Sequence, residues 1–187
     1  ETLTAVSNGR LESQVHDNGY STAVWEVRNP INNYDVTFYV GDYVHWTDTL
    51  KGEKGKLDLG YYVLRANADK AKKHFEVVKP MLRCFENWMG PYPFYEDGYK
   101  LVDAPYLGME HQSAVAYGNG YQMGYKGMDR SLTGWGMKWD YIIVHESGHE
   151  WFGNSITAAD MADNWVHEGF TSYTEVLFTE CLLGKEK

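Results

Sequence analysis

The stretch from Val144 to Gly153 reads VHESGHEWFG, and it restricts the fold more than any other part of the chain. Two histidines four apart, His145 and His149, can act together on an α-helix, where positions i and i+4 lie on one face, one turn apart. The apolar run Tyr141-Ile142-Ile143-Val144 ahead of them suits an internal helix. Glu146 sits about 100° round the same helix, near a bound ion but not necessarily on it. With 7 His and 14 Glu among 187 residues, an H-E-x-x-H pattern arises by chance about 0.02 times in a chain of this length. A hydrolytic zinc takes three protein ligands and leaves one position open for water. The third ligand must come from elsewhere. Glu168 is the candidate, because it follows His149 after eighteen intervening residues on a second helical stretch. The expectation is one zinc ion held by His145, His149 and Glu168.

The rest of the chain divides by composition. Residues 1–64 read as strands. TLTAVS and LESQVH flank Asn8-Gly9, a hairpin-type turn, and a third strand, YSTAVWEVR, follows the turn Asp17-Asn18-Gly19. YDVTFYVGDYVHW is a long aromatic and β-branched run with a possible bulge at Gly41. TDTLKGEKGK reads as a polar loop, and LDLGYYVL as another strand. From about Asn67 the apolar spacing becomes helical (Phe75, Val78, Leu82, Phe85), with Pro80 predicting a kink or two short helices. LVDAP is a short strand, and residues 106–136, rich in Gly and Tyr, are mostly loop around one or two strands. Two helices close the sequence: MKWDYIIVHESGHEWFG, and DNWVHEGFTSYTEVLFTECLLG ended by Gly184. The class is α+β.

Composition excludes some functions. The chain carries 17 basic and 26 acidic residues, a formal charge of −9, which argues against nucleic acid as a partner because phosphate binding needs a basic footprint. No apolar run approaches the ~20 residues that span a bilayer, so a soluble protein without a transmembrane segment is expected. The opening ETLTAVSNGR has neither the basic start nor the apolar centre of a signal peptide and reads like mid-chain sequence. Cys84 and Cys181, far apart with apolar flanks, are expected to be buried free thiols.

The flanks of the histidine pair carry a resemblance. His145-Glu-Ser-Gly-His149-Glu-Trp151-Phe-Gly153-Asn154-Ser-Ile-Thr157, then Trp165-Val-His-Glu168-Gly169-Phe170-Thr-Ser-Tyr173-Thr-Glu175, resembles the aminopeptidase N family of gluzincin zinc metallopeptidases. That family shows H-E-x-x-H-x-W-x-G-N-x-V-T, eighteen residues to the third ligand, and N-E-G-F-A-x-Y-x-E. Upstream, Gly108-Met109-Glu110-His111, with Tyr117 beyond it, resembles the family's G-A-M-E-N exopeptidase motif and the tyrosine after it. The strands of residues 1–64 resemble the end of the family's N-terminal β domain. The chain departs from the family at His167 and His111, where the family has Asn, and at Leu107, where it has Gly.

The resemblance implies roles. Glu146 takes the water's proton and passes it to the leaving amine. Glu175, two turns beyond Glu168 on the same helix face, is the candidate acceptor for a ligand imidazole's second nitrogen. Glu110 binds the substrate's free α-amine, which is mostly cationic at neutral pH, while the Gly108–Met109 backbone pairs with an extended peptide. The substrates are then peptides with a free N-terminus. Residues 1–64 become the tail of an N-terminal β domain, and 65–187 the first part of a thermolysin-like catalytic domain. The family's oxyanion-stabilising tyrosine would lie beyond Lys187, so the isolated chain is expected to be a weak peptidase. The same zinc site could serve an endopeptidase or an epoxide hydrolase. A catalytically dead scaffold is the alternative from another class; such proteins usually lose ligands or the base, and this chain keeps them.

Overall fold

The computed structural model describes residues 3–185. Nine strands and four α-helices follow one another: β1 (Thr4–Ser7), β2 (Arg10–Asp17), β3 (Tyr20–Glu26), β4 (Phe38–Gly41), β5 (Tyr43–Gly52), β6 (Gly55–Leu64), α1 (Ala68–His74), α2 (Val78–Met89), β7 (Tyr99–Asp103), β8 (Gly108–Met109), β9 (Val115–Tyr117), α3 (Tyr141–Gly148) and α4 (Trp165–Leu183). The expected α+β class is what this order and the sheet below make.

The central sheet has the order β5-β6-β7-β9-β8. β5 and β6 are an antiparallel hairpin, β6-β7 and β7-β9 are parallel, and β8 runs antiparallel to β9 at the edge. Side chains alternate as a two-sided sheet requires. Leu57, Leu59, Tyr61, Val63, Tyr99, Leu101, Val115 and Tyr117 join one core with Phe75, Val78, Leu82, Phe85, Ile142 and Ile143 of the helical layer. Tyr62, Val102 and Ala116 face the other way, toward Val6 of β1 and Tyr39 of β4. Helices thus cover one face, and the small antiparallel pairs β1-β4 and β2-β3 belong to the other side.

Several sequence expectations are corrected. Asn8-Gly9 is not a hairpin turn: β1 pairs with β4, and β2 with β3. Asn8 is buried, and its amide donates to the Asp35 and Gln112 carbonyls, a tertiary role that a local turn motif cannot reveal. The turn at Asn18-Gly19 does form, both residues at positive φ (47° and 82°), with Asp17 opposite Tyr20. The segment 47–56, expected as a polar loop, is the end of the β5-β6 hairpin, with only Glu53-Lys54 between the strands. Its polar residues sit on exposed positions while Leu50 and Leu57 pair across it, fully buried. The long run 34–46 is broken at Asp42, where the chain passes from one sheet to another.

Two short helices do replace one long helix, but the break falls at Phe75–Val77, in a 3-10 turn, with Pro80 tolerated in the first turn of α2. Cys84 and Cys181 are a disulfide, not free thiols. They lie 97 residues apart in sequence, but α2 and α4 pack together, bringing their Cα atoms to 6.1 Å. Apolar flanks suit a buried disulfide as well as a buried thiol, so they could not decide the pairing. Among the described residues no helix is long and apolar enough to cross a membrane.

Candidate active site

α3 is shorter than expected because Asp140 fixes its start: the Asp140 carboxylate accepts from Ile142 N at 2.9 Å and Ile143 N at 3.3 Å, capping two free donors of the first turn. The other oxygen of Asp140 accepts from Tyr117 at 2.7 Å and lies 2.6 Å from His74 Nε2. Ile142, Ile143 and Val144 are buried in the main core, so the register of α3 is set and one remaining direction holds both histidines. His149 continues the helical path at φ −63°, ψ −19°.

α4 approaches from the other side. His145 Nε2 and His149 Nε2 are 3.3 Å apart; Glu168 Oε2 is 3.2 Å from the first and Glu168 Oε1 3.7 Å from the second. Tetrahedral zinc with bonds of about 2.0–2.1 Å has ligand atoms about 3.3–3.4 Å apart, so the three donors fit the ion. The other ring nitrogens strengthen the fit. His145 Nδ1 is 2.8 Å from Glu175 Oε1, and His149 Nδ1 is 2.9 Å from the Phe152 carbonyl. Both partners are acceptors, so each Nδ1 carries the proton and each Nε2 presents a lone pair. Two lone pairs facing each other at 3.3 Å beside a carboxylate call for a cation between them.

Glu146 is nearly buried on the same turn, with its carboxylate near donor atoms of His149 and Glu110. Burial lifts its pKa to about 8; His145 opposes the rise, while Glu110, Glu168 and Glu175 add to it. His145 is shifted upward: burial pulls it down, but the Glu175 hydrogen bond and the surrounding carboxylates outweigh that. Burial shifts His149 downward.

β8 brings the third group. Gly108 and Met109 pair with Tyr117 and Ala116, leaving the outer edge of the strand open. Gly108 lies so close to α3 that a Cβ there would meet Ile142 Cγ2 at 2.6 Å and Glu146 Oε1 at 2.9 Å. Only glycine allows this approach, and it places Glu110 at the end of the strand, beside Glu146 and His149.

The departures from the family pattern take up structural contacts. His167 is buried and its Nε2 accepts from Ala158 N at 2.9 Å. The His111 ring packs edge-on to Tyr39, and burial lowers its pKa. Leu107 packs against the main core.

Other contacts of the site carried no sequence signal. Tyr34 donates to Asn154 Oδ1 at 3.2 Å, and Asn154 Nδ2 donates to the Glu110 carbonyl at 2.7 Å. Thr171 Oγ1 lies 3.1 Å from His149 Nδ1. Asp35 and Glu150 are buried carboxyls behind the site; Glu150 accepts from Ser113 N at 2.8 Å. Each contact joins segments far apart in sequence, and no local pattern marks it.

Comparison with known proteins gives the family of the chain. Residues 73–187 match the model of the peptidase family M1 domain. Human (Homo sapiens) aminopeptidase B is 27% identical over 177 residues, which cover 88% of this chain and 24% of that protein. Leukotriene A-4 hydrolase of Xenopus laevis is 25% identical over 186 residues, 98% of this chain and 27% of that protein. The crystal structure of an M1 zinc metallopeptidase from Deinococcus radiodurans shares the fold, with a TM-score of 0.79 and 24% identity over 97% of this chain and 38% of that one. The chain thus spans about a quarter of the length of these curated relatives. With the family model matching well over half its residues, the chain belongs to peptidase family M1, the zinc metallopeptidases that include the aminopeptidase N group.

Proposed function

We propose that this chain carries the zinc-binding part of an aminopeptidase that removes residues from the free N-terminus of peptides. The observation that carries the reading is the convergence of His145 Nε2, His149 Nε2 and Glu168 at 3.2–3.7 Å, with both Nδ1 atoms held by acceptors. When bound, zinc would supply Lewis-acid chemistry, acidifying a water to a pKa of ~7 and polarising a carbonyl. His145, His149 and Glu168 would hold the ion, and Glu175 would fix the His145 ring. Glu146 accepts the water's proton and returns it to the departing amine. The open edge of β8 takes the backbone of an extended peptide as an added strand. Glu110, at the end of that strand, binds the α-ammonium, so the bond presented to Glu146 is the first one. In this reading residues 1–64 are the tail of an N-terminal β domain and 65–187 the first part of the catalytic domain, with β5 and β6 sharing the sheet that carries β8.

The test uses the whole protein that carries this chain. It is expected to hold zinc and to cleave a peptide with a free N-terminus while sparing the acetylated peptide. Equal rates on both would overturn the aminopeptidase reading and leave an endopeptidase; a protein without zinc that takes none up would overturn the metal site.

A further inference from the structure

We infer that Tyr34, in the N-terminal β unit, is a positioning residue for the amine-binding carboxylate Glu110, acting through Asn154. The inference rests on the aminopeptidase reading and adds to it the group that sets its N-terminal selectivity from outside the catalytic sheet.

The argument starts from a weakness in the subsite. Glu110 follows a strand of two residues, Gly108–Met109, which is bonded on one side only. Such a short edge strand does not by itself hold the next residue still. The backbone carbonyl of Glu110 is held by Asn154 Nδ2 at 2.7 Å. Asn154 is itself well placed for this: it is buried, and its own N–H donates to the His149 carbonyl at 3.0 Å. It therefore ties the strand of Glu110 to the end of the metal-binding helix.

An asparagine amide can face either way, and its orientation follows from its partners. Asn154 Oδ1 accepts from the Tyr34 hydroxyl at 3.2 Å. That donor needs an oxygen, so it turns the NH₂ group toward Glu110. Gly153 leaves room for the contact: a Cβ there would lie 3.4 Å from the Tyr34 hydroxyl and 3.3 Å from His149 Nδ1. A second contact fixes the same two segments, because Asn32 Nδ2 donates to Thr157 Oγ1 at 3.0 Å. Residues 32–34 thus grip the turn that follows α3, and Asn154 carries that grip to Glu110, beside the direct bond from Gln112 Nε2 to the Pro30 carbonyl at 3.0 Å. Tyr34 does not touch the metal-binding atoms, and it is distinct from the downstream tyrosine that the family resemblance implies.

The test is a double-mutant cycle in the whole zinc-loaded protein, with Tyr34→Phe, Glu110→Ala and both together. Selectivity is the ratio of kcat/KM for a free peptide to that for its acetylated form. Tyr34→Phe removes one neutral hydrogen bond, so a loss of roughly 2- to 10-fold in selectivity is expected, seen mainly as a raised KM for the free peptide, with zinc content and unfolding midpoint near wild type. Glu110→Ala is expected to lose more. Adding Tyr34→Phe to Glu110→Ala is expected to change selectivity no further, since the effect passes through Glu110. A purely structural role would instead lower both substrates' rates equally, in either background. If Glu110→Ala loses selectivity while Tyr34→Phe does not, or if the two losses multiply, the positioning role is overturned and the aminopeptidase reading stands. If Glu110→Ala keeps full selectivity, the amine-binding assignment fails and this inference with it.

Discussion

Side by side on α3, His145 and Glu146 are separated by chemistry: one turns its ring into the space between two helices, the other its carboxylate toward β8. That division predicts the outcome of Glu146→Gln. The amide keeps the shape but cannot accept the water's proton, while the three ligands are untouched. Zinc content is expected to stay near one ion per chain and hydrolysis by the whole protein to fall by a factor of about 100 or more; near-normal turnover would show that Glu146 is not the base. Asp35 gives a different prediction at the same scale. Its carboxyl is fully buried, and neither oxygen makes a well-formed hydrogen bond. Burial first, then the charge of Glu110, raise it to about 8, against the Gln112 backbone. Below about pH 4 both folded and unfolded states hold the proton, and the group adds no pH-dependent cost. Above that the unfolded chain releases its proton and the folded one keeps it, so stability falls as pH rises toward 8. Asp35→Asn has nothing to ionise. Its stability relative to wild type should therefore improve from pH 5 to pH 8 in urea unfolding, and a constant difference would refute the assignment.

At the scale of elements, legibility followed sequence distance. α3 and α4 were readable because their marks are local: an apolar run before His145, a helical repeat, Gly184 at the end. The three candidate ligands could be proposed from sequence because i, i+4 spacing and an eighteen-residue gap express a two-helix geometry in one dimension. Asn8-Gly9 misled because the same dipeptide that favours a tight turn also suits a buried amide beside a glycine at positive φ, here 73°. The turn after Lys51 misled because polar residues on an exposed hairpin look like a loop until Leu50 and Leu57 are paired. The disulfide was invisible because it depends on α2 lying against α4. It joins the first helical segment to the helix that supplies Glu168, so its loss should be felt in both. Cys84→Ser is expected to lower unfolding stability by about 2–5 kcal/mol, a range appropriate to a long closed loop. Chemical denaturation of the oxidised and variant proteins measures it, and equal midpoints would show that the bridge adds nothing beyond the packing of Phe85 against Phe178.

Across the whole molecule, the proposed metal ligands lie on α4 and on α3 with its C-cap residue His149. β8 reaches the site from the sheet edge, and residues 32–34 reach it from the N-terminal strands. The ion would therefore clamp α3 to α4, adding to what Thr171, Glu175 and the buried face of α4 already hold. A ligand that binds only the folded state stabilises it by RT ln(1 + [L]/Kd), about 4 kcal/mol at a thousandfold excess over Kd. The unfolding midpoint of the protein should accordingly fall when a chelator strips zinc and return when zinc is restored. Glu168→Ala separates this from a general effect of chelator. Glu168 is mostly exposed, with its side chain 59% accessible, so its truncation costs little packing and the metal-free variant should unfold close to the metal-free wild type. With one ligand gone the variant should also respond far less to added zinc. If zinc shifts wild type and variant equally, the ion is not held by His145, His149 and Glu168 together. If neither responds while wild type contains zinc, the metal does not bridge the two helices.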